Sequence, residues 1–209
     1  MFELLLITDR KISRQPLSYA VRAALEGGVD AVQLREKDLT SRELFEIADE
    51  LRKLTVTFNA RLIINDRVDI ALAVDADGVH LGWQSMPIKK VRALIGLKKL
   101  IGYSAHNLLE AQNAQDAEAD YITFSPIYKS RSKEVTPAGA DKIATLKKDI
   151  NIPVIALGGI DENNVEDALK NGADGVAVIS SILAAENPFE ATSRIRRKIE
   201  HFKKQCNPP

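Results

Sequence analysis

The sequence lacks the features that would tie this chain to a membrane, to nucleic acid or to a disulfide framework. Its one cysteine, Cys206, has no partner for an intramolecular disulfide and no companions for a zinc site. Lysine and arginine total 29, the same as aspartate and glutamate, so no excess of positive charge indicates nucleic acid. The apolar run at residues 2–7 is too short for a signal-peptide core or a membrane span. We expect a cytoplasmic protein without nucleic-acid or membrane partners; a homo-oligomer is compatible with the sequence.

Glycine-rich fingerprints and linker segments are also missing. Thr8-Asp9-Arg10 follows the first apolar run, where a doubly wound dinucleotide-binding sheet would carry a glycine-rich turn. No proline- or serine-rich stretch divides the 209 residues, so we expect one domain spanning residues 1–209. A chain of this length buries roughly 70% of its unfolded surface and needs no disulfide or metal to be stable.

The chain does contain short apolar runs that alternate with amphipathic segments. Helical patterns include residues 41–54, residues 87–95 with proline at the start, and residues 161–170 with the capping residue Asp161 at the start. The apolar runs suit parallel strands that are covered by helices on both faces. These predicted strands are residues 3–8, 29–34, 62–65, 78–81, 100–104, 121–124, 153–157 and 175–179.

A faint internal repeat supports a count of eight strands. An aspartate that follows valine or alanine introduces strands two, four, six and eight, as Asp30, Asp77, Asp120 and Asp174. The repeat unit therefore holds two strand–helix pairs, and four units give the number that closes a parallel barrel. We predict a compact (β/α)8 TIM barrel, with a doubly wound open sheet as the alternative.

Polar side chains cluster after the second predicted strand. Gln33, Arg35 and Lys37 alternate along the chain, so they can point into one site. The planar donors of arginine and the mobile charge of lysine together suit a phosphate or diphosphate. A solvated strand end is the alternative interpretation. Active sites of such barrels lie at the carboxyl ends of the strands, where Asn65, Asp66, Ser104 and His106 are also expected.

A second anion site is predicted after strands seven and eight. Gly158-Gly159 precedes a helix, and a short helix is expected at Ser180, so backbone N–H groups there could hold a phosphate. Simple tight turns are the alternative. The polar loop 129–134 is either a lid over an anionic substrate or a mobile surface loop. Two anion sites indicate two phosphorylated substrates, or one substrate and a vestigial site.

Seven motifs in chain order carry a resemblance to a known family. Over essentially the whole chain, the pattern resembles the superfamily of thiamin phosphate synthase and thiazole tautomerase. The motifs are residues 33–37 (QLREK), 64–67 (INDR), 77–82 (DGVHLG), 102–106 (GYSAH), 125–128 (SPIY) with Lys133, 158–160 (GGI) and 175–180 (GVAVIS).

The resemblance implies that hydroxymethylpyrimidine diphosphate is joined to thiazole phosphate with release of diphosphate. It implies a Mg²⁺ ion with Asp66 as a ligand, and catalytic contributions from Lys133, Ser104 and His106. The pyrimidine diphosphate would be held by Gln33, Arg35, Lys37, Asn65 and Lys133. The thiazole phosphate would be held by Gly159, Ile179 and Ser180, together with the loop residues Ser130, Arg131 and Ser132.

This sequence departs from the synthase pattern at two positions. Ser85 stands where the pattern has a second magnesium-binding aspartate, and a neutral hydroxyl is a poor substitute for a carboxylate. Asp66 alone, with phosphate oxygens and water, remains a sufficient set for Mg²⁺. Ser125 stands where the synthase pattern usually has glycine, which could alter the approach to the thiazole site.

Two alternative functions follow from the loss of that aspartate. A thiazole tautomerase would need no diphosphate or magnesium, and His106 matches its acid–base histidine, although synthases carry this residue too. A non-catalytic protein that binds thiazole phosphate is the third hypothesis. The complete set of diphosphate-type residues favours the synthase.

Other polar and aromatic residues near the strand ends have two interpretations each. His80 is expected to be a hydrogen-bonded core residue rather than an acid or base. Trp83 either forms a wall of the pyrimidine pocket by stacking or packs over the barrel end. Asp9 and Arg10 either face the site or form a local ion pair.

Overall fold

The computed structural model describes residues 2–129 and 136–206. The predicted loop residues Ser130, Arg131, Ser132 and Lys133 therefore lie outside the described residues.

Eight parallel strands close into a barrel in the order β1 to β8, which confirms the predicted fold and excludes the open sheet. The closure joins β1 to β8, with Leu5 beside Ala177. The ends of the eight strands differ from those of the predicted runs by at most two residues. The strands are β1 (Leu4–Ile7), β2 (Ala31–Leu34), β3 (Arg61–Asn65), β4 (Gly78–Leu81), β5 (Leu100–Ala105), β6 (Tyr121–Phe124), β7 (Val154–Leu157) and β8 (Gly175–Val178).

Helices follow the strands around the outside of the barrel. None of those in the described residues is long and apolar enough to cross a membrane. They are α1 (Leu17–Glu26), α2 (Ser41–Thr57), α3 (Val68–Ala73), α4 (Ile88–Ile95), α5 (Leu108–Asp116), α6 (Asp141–Leu146), α7 (Val165–Lys170), α8 (Ser180–Leu183) and α9 (Pro188–Cys206).

Three predicted helix limits need correction. Helix α2 continues to Thr57, and Pro87 is the N-cap of α4 rather than its first residue. The prediction that α7 begins at Asp161 is wrong, because the helix begins at Val165. The Asp161 carboxylate instead accepts a hydrogen bond from the Asn163 N–H (2.8 Å), a local turn that delays the helix.

The barrel interior is filled by side chains. Tyr121 is fully buried there, and Phe2 meets its ring edge-on with ring centroids 5.0 Å apart. Gly102 makes room for this ring, since a Cβ there would lie 2.1 Å from Tyr121 Cζ. The Tyr121 hydroxyl is 3.1 Å from His80 Nδ1. Burial, with a smaller effect of the Arg35 charge, lowers the pKa of His80 to about 3, so this histidine is neutral. The prediction of a hydrogen-bonded core histidine is confirmed.

The repeated aspartates bind the amino ends of the strands. Each lies just before or at the start of an even-numbered strand, accepts a hydrogen bond from a backbone N–H at the start of the preceding strand, and pairs with a cation. Each of the four aspartates therefore links two neighbouring strands at the amino end of the barrel. The pairs are Asp30 with Leu4 and Arg196, Asp77 with Leu62 and Arg52, Asp120 with Ile101 and Arg92, and Asp174 with Val154 and Lys147.

Candidate active site

A cavity of about 330 Å³ opens at the carboxyl ends of the strands. It brings together most of the residues that the sequence predicts for the site, although they come from four different strands and the loops after them. Ser85, Asp9 and Trp83 also line it. The predicted residues in its lining are Gln33, Arg35, Lys37, Asn65, Asp66, Ser104, His106 and Ile179.

Hydrogen bonds connect the polar side chains at the ends of β2 and β3. Gln33, only 1% exposed, donates through Nε2 to Asn65 Oδ1 (3.0 Å). Asn65 Nδ2 in turn donates to Asp66 Oδ2 (2.7 Å). The Gln33 Oε1 atom is buried and has no hydrogen-bond partner within the described part of the chain. A buried acceptor without a partner is costly, so this oxygen is available to a donor on a ligand.

Asp66 lies directly against Ser85. Its backbone has φ of +61°, in the left-handed region, and its N–H donates to the His80 carbonyl (3.0 Å). The Ser85 hydroxyl donates to Asp66 Oδ1 and accepts from the Gly82 N–H (2.7 Å). The Ser85 hydroxyl therefore lies beside the Asp66 carboxylate.

This pair provides few ligands for a cation on its own. It offers one carboxylate, whose two oxygens already accept hydrogen bonds, and one hydroxyl. Across residues 2–129 and 136–206, no group of three or more histidine, cysteine or acidic side chains is arranged to hold a metal. Mg²⁺ keeps several waters and binds through one or two carboxylates plus substrate phosphates. The pair thus fits a magnesium ion that a diphosphate also holds.

Two further polar residues reach the cavity from β5. Ser104 Oγ lies 2.9 Å from Nε2 of the neutral His80, which fixes the position of the hydroxyl. His106 Nδ1 lies 2.7 Å from the Ser125 carbonyl oxygen. Since a carbonyl only accepts, Nδ1 carries the proton and Nε2 is the basic nitrogen of the neutral ring.

The glycine turn after β7 is shaped by its neighbours as well as by its own backbone. Gly158 and Gly159 have φ of +102° and +65°. A Cβ on Gly158 would lie 2.8 Å from Pro126 Cα, and one on Gly159 would lie 2.6 Å from the Lys129 carbonyl oxygen. Only glycine can therefore follow this path beside the loop after β6.

Backbone donors face a small cavity between this turn and α8. The cavity measures about 40 Å³ and is lined by residues 157–160 and 177–181. Among the described residues, the N–H groups of Gly159, Ser180 and Ser181 have no acceptor. The buried Ser181 hydroxyl has none either. Unpaired donors at such a turn form a site for an anion.

The side-chain cluster and the glycine turn open on the same rim. Leu157 and Ile179 line both the larger cavity and the small one, so they form a shared wall between the two. Arg35 and Gly158-Gly159, which belong to the two predicted anion sites, therefore lie at the same rim.

Two expectations about residues near the rim are settled by exposure and contacts. Trp83 lines the cavity but is 80% exposed, so the interpretation as a packed cover of the barrel is wrong. Arg10 does not pair with Asp9; its partners are Glu36 and Asp38. Ser181 is a residue of the small cavity for which no role is predicted from the sequence, although the two consecutive serines after β8 indicate hydroxyl donors there.

A closed (β/α)8 barrel with a cationic cluster and a glycine–serine turn on one rim defines an enzyme class that acts on phosphorylated small molecules. The chain belongs to the thiamine monophosphate synthase family, whose family model matches residues 4–182. The resemblance inferred from the seven motifs is thus confirmed.

Individual relatives agree over nearly the full length. A Geobacter sulfurreducens protein is 52% identical over 192 residues, 90% of each chain. The thiamine-phosphate synthase of Chloroflexus aurantiacus is 44% identical over 198 residues, 93% of this chain and 91% of its own. The solved thiamine phosphate pyrophosphorylase from Pyrococcus furiosus is 39% identical, with a TM-score of 0.89 over 96% of each chain. These comparisons give no support to the tautomerase or to the non-catalytic protein.

Proposed function

We propose that this chain is a transferase that joins hydroxymethylpyrimidine diphosphate to thiazole phosphate, giving thiamin phosphate and diphosphate. The main support for this proposal is the wall that Leu157 and Ile179 share, because it places a side-chain anion site and a backbone anion site in one opening. A reaction between two phosphorylated substrates needs two such sites within reach of each other, whereas a single-substrate isomerase needs one.

The side-chain site binds the pyrimidine diphosphate. Arg35 and Lys37 supply two positive charges, and Gln33 and Asn65 supply polar contacts, with the free Gln33 Oε1 as an acceptor for the ligand. Positive groups placed where negative charge grows on the leaving diphosphate lower the barrier to its departure. Lys133 is proposed for the same task, and Ser104, held by His80, lies beside the pyrimidine.

Asp66, with Ser85 beside it, would hold the magnesium ion. When bound, Mg²⁺ supplies further positive charge to the diphosphate oxygens.

The backbone site binds the thiazole phosphate. The N–H groups of Gly159 and Ser180 donate to it from the turn between β7 and α8, and Ile179 forms the adjoining wall. The Ser181 hydroxyl adds a donor to this set. Ser130, Arg131 and Ser132 are proposed to complete the site from the neighbouring loop.

The reaction then requires little beyond placement and charge. The thiazole nitrogen uses its lone pair to form a bond to the methylene carbon of the pyrimidine. The bond from that carbon to the diphosphate oxygen breaks, and its electron pair leaves with the diphosphate. No protein nucleophile is needed. His106, whose Nδ1 lies 2.7 Å from the Ser125 carbonyl oxygen, is proposed to contribute at the rim through Nε2.

The test is incubation of the purified protein with both substrates and Mg²⁺. We expect thiamin phosphate and diphosphate in equal amounts, and no product when either substrate is omitted. Absence of thiamin phosphate would contradict the proposal. Proton exchange on thiazole carboxylate phosphate that His106→Ala abolishes would then support the tautomerase, and binding without turnover would support the non-catalytic protein. The cytoplasmic location and the homo-oligomer remain predictions.

A further inference from the structure

We propose that Glu36 is a positioning residue of the diphosphate site, which holds Arg35 and Lys37 in place through an ion pair with Arg10. This inference rests on the proposed function, because it assigns the support of the same diphosphate site. Glu36 does not line the cavity, and the sequence alone predicts no role for it.

Glu36 is a buried charge with a complete set of partners. It is 6% exposed. Its Oε1 and Oε2 accept from the Arg10 backbone N–H at 3.0 and 3.2 Å, and Arg10 Nη1 donates to Oε2 at 3.1 Å. Burying a carboxylate is costly unless it is paired in this way, so removing either partner is felt by the other.

Asp38 extends the same interaction towards solvent. Arg10 donates through Nη1 and Nη2 to the two Asp38 oxygens at 2.6 and 2.9 Å, a bidentate pair, and this guanidinium holds the pKa of the Asp38 carboxyl well below its usual range. We call Arg10, Glu36 and Asp38 the rim clamp. It joins the loop after β1 to the loop after β2.

The rim clamp fixes the backbone on both sides of Lys37. In the loop after β2, Glu36 is directed towards Arg10, while its neighbours Arg35 and Lys37 both line the cavity. The Arg35 N–H is held separately by the Thr8 hydroxyl (2.9 Å). Lys37 therefore lies between two clamped residues. Cationic side chains that are held in place before the ligand arrives lose less entropy on binding.

A purely structural role for Glu36 would resemble that of Asp77 at the opposite rim. Asp77 Oδ2 also accepts from a backbone N–H, that of Leu62 (2.8 Å), and from Arg52 Nη1 (2.7 Å). Neither Asp77 nor Arg52 lines the cavity at the carboxyl ends. Asp77→Asn is therefore a matched control, since it removes the same charge from the same kind of clamp.

The experiment measures binding of inorganic diphosphate in the presence of Mg²⁺ by titration calorimetry, and then the two KM values. We expect Glu36→Gln to weaken diphosphate binding by about tenfold and to raise KM for the pyrimidine diphosphate similarly, with KM for thiazole phosphate unchanged. Arg10→Lys keeps the charge and should show a smaller loss of the same kind. Asp77→Asn should lower the unfolding temperature and leave both KM values unchanged.

The result that overturns the proposal is a diphosphate affinity that is the same in Glu36→Gln, Arg10→Lys and the wild type. Equal rises in both KM values would also overturn it, because the effect would then be general. Diphosphate binding is measured without the second substrate. Failure of the wild type to form thiamin phosphate would therefore count against the proposed function, separately from the role of Glu36.

Discussion

The two rims of this barrel use carboxylates in different ways. At the amino rim, four aspartates each bind a backbone N–H and a cation, and the arrangement repeats around the barrel. At the carboxyl rim, β2 and β3 end in a hydrogen-bonded polar chain, whereas β7 and β8 end in a glycine turn and a short helix.

Unpartnered buried atoms mark the same difference. Of the three buried side-chain atoms without a hydrogen-bond partner in the described part of the chain, Gln33 Oε1 and Ser181 Oγ lie at the carboxyl rim and Glu166 Oε1 lies on α7. The repeated aspartates at the amino rim are all paired. The repeated aspartate contacts hold neighbouring strands together at the amino rim. The carboxyl rim lacks this repeat, and its polar side chains are left to contact a ligand. Variants at matched positions on the two rims should therefore separate activity from stability.

The largest effect is expected from a pair of arginines. Arg35→Ala removes a charge from the diphosphate site, so kcat/KM should fall by about 100- to 1000-fold while thiazole phosphate binding persists. Arg52→Ala removes an arginine from the amino rim, and it should lower the free energy of unfolding without this kinetic loss. Steady-state kinetics and urea unfolding measure both. Similar kinetic losses in the two variants would erase the distinction between the rims.

A pair of glycines tests the backbone anion site. Gly159→Ala places a Cβ 2.6 Å from the Lys129 carbonyl oxygen at φ of +65°, whereas Gly96→Ala, at φ of +72°, meets nothing within 4 Å. We expect both to lose about 1–3 kcal/mol of stability from backbone strain, and Gly159→Ala to lose more because the Lys129 carbonyl must shift. Only Gly159→Ala should raise KM for thiazole phosphate, by about tenfold, because only that turn offers its N–H groups to the ligand. An unchanged KM would contradict the phosphate site.

A change at Ser85 should strengthen Mg²⁺ binding at the carboxyl rim. Ser85→Asp adds a second carboxylate beside Asp66, so Mg²⁺ should bind about tenfold more tightly in the absence of diphosphate. Ser85→Ala removes the hydroxyl without adding charge and serves as the control. Titration calorimetry with Mg²⁺ measures both, and a chelator should stop turnover in every variant. Equal Mg²⁺ affinities in the two variants would show that position 85 is not beside the metal.

The smallest effect concerns His80, which lies between the rims. Its pKa in the folded chain is lowered from 6.5 to about 3, chiefly by burial, so below about pH 6.5 the unfolded chain binds a proton that the folded chain does not. His80 therefore does not reduce the free energy of unfolding above about pH 6.5. As the pH falls from there towards 3, it lowers that free energy by up to about 1.4 kcal/mol per pH unit. Urea unfolding at about pH 7 and about pH 5.5 measures the slope. His80→Gln should flatten it and the exposed His201→Gln should not; an unchanged slope in His80→Gln would refute the assignment.

The sequence predicts the barrel well because each strand is short and apolar on both faces, and because the aspartate repeat gives the count. It does not predict what those aspartates bind. Asp77, for example, accepts from Leu62, 15 residues earlier, and no local period encodes such a contact. Asp161 is the opposite case, because its contact is local. Its carboxylate accepts from the Asn163 N–H in a turn before α7 and does not cap the helix.

The candidate site is predicted in part for a similar reason. Gln33, Arg35 and Lys37 are close in sequence and all line the cavity, although β2 ends at Leu34 and only Gln33 of the three lies on the strand. The residue between them, Glu36, finds its partner Arg10 on another strand end, 26 residues earlier, and only the closed barrel brings the two together. The contact between Asp66 and Ser85 was inferred from the family pattern rather than from strand geometry.

The central claim is that two anions bind at one rim at the same time. Its most direct test is a calorimetric titration of thiazole phosphate into protein that is already saturated with inorganic diphosphate and Mg²⁺. We expect one equivalent of thiazole phosphate to bind, with its affinity largely retained. Displacement of one ligand by the other, with no ternary complex, would contradict it.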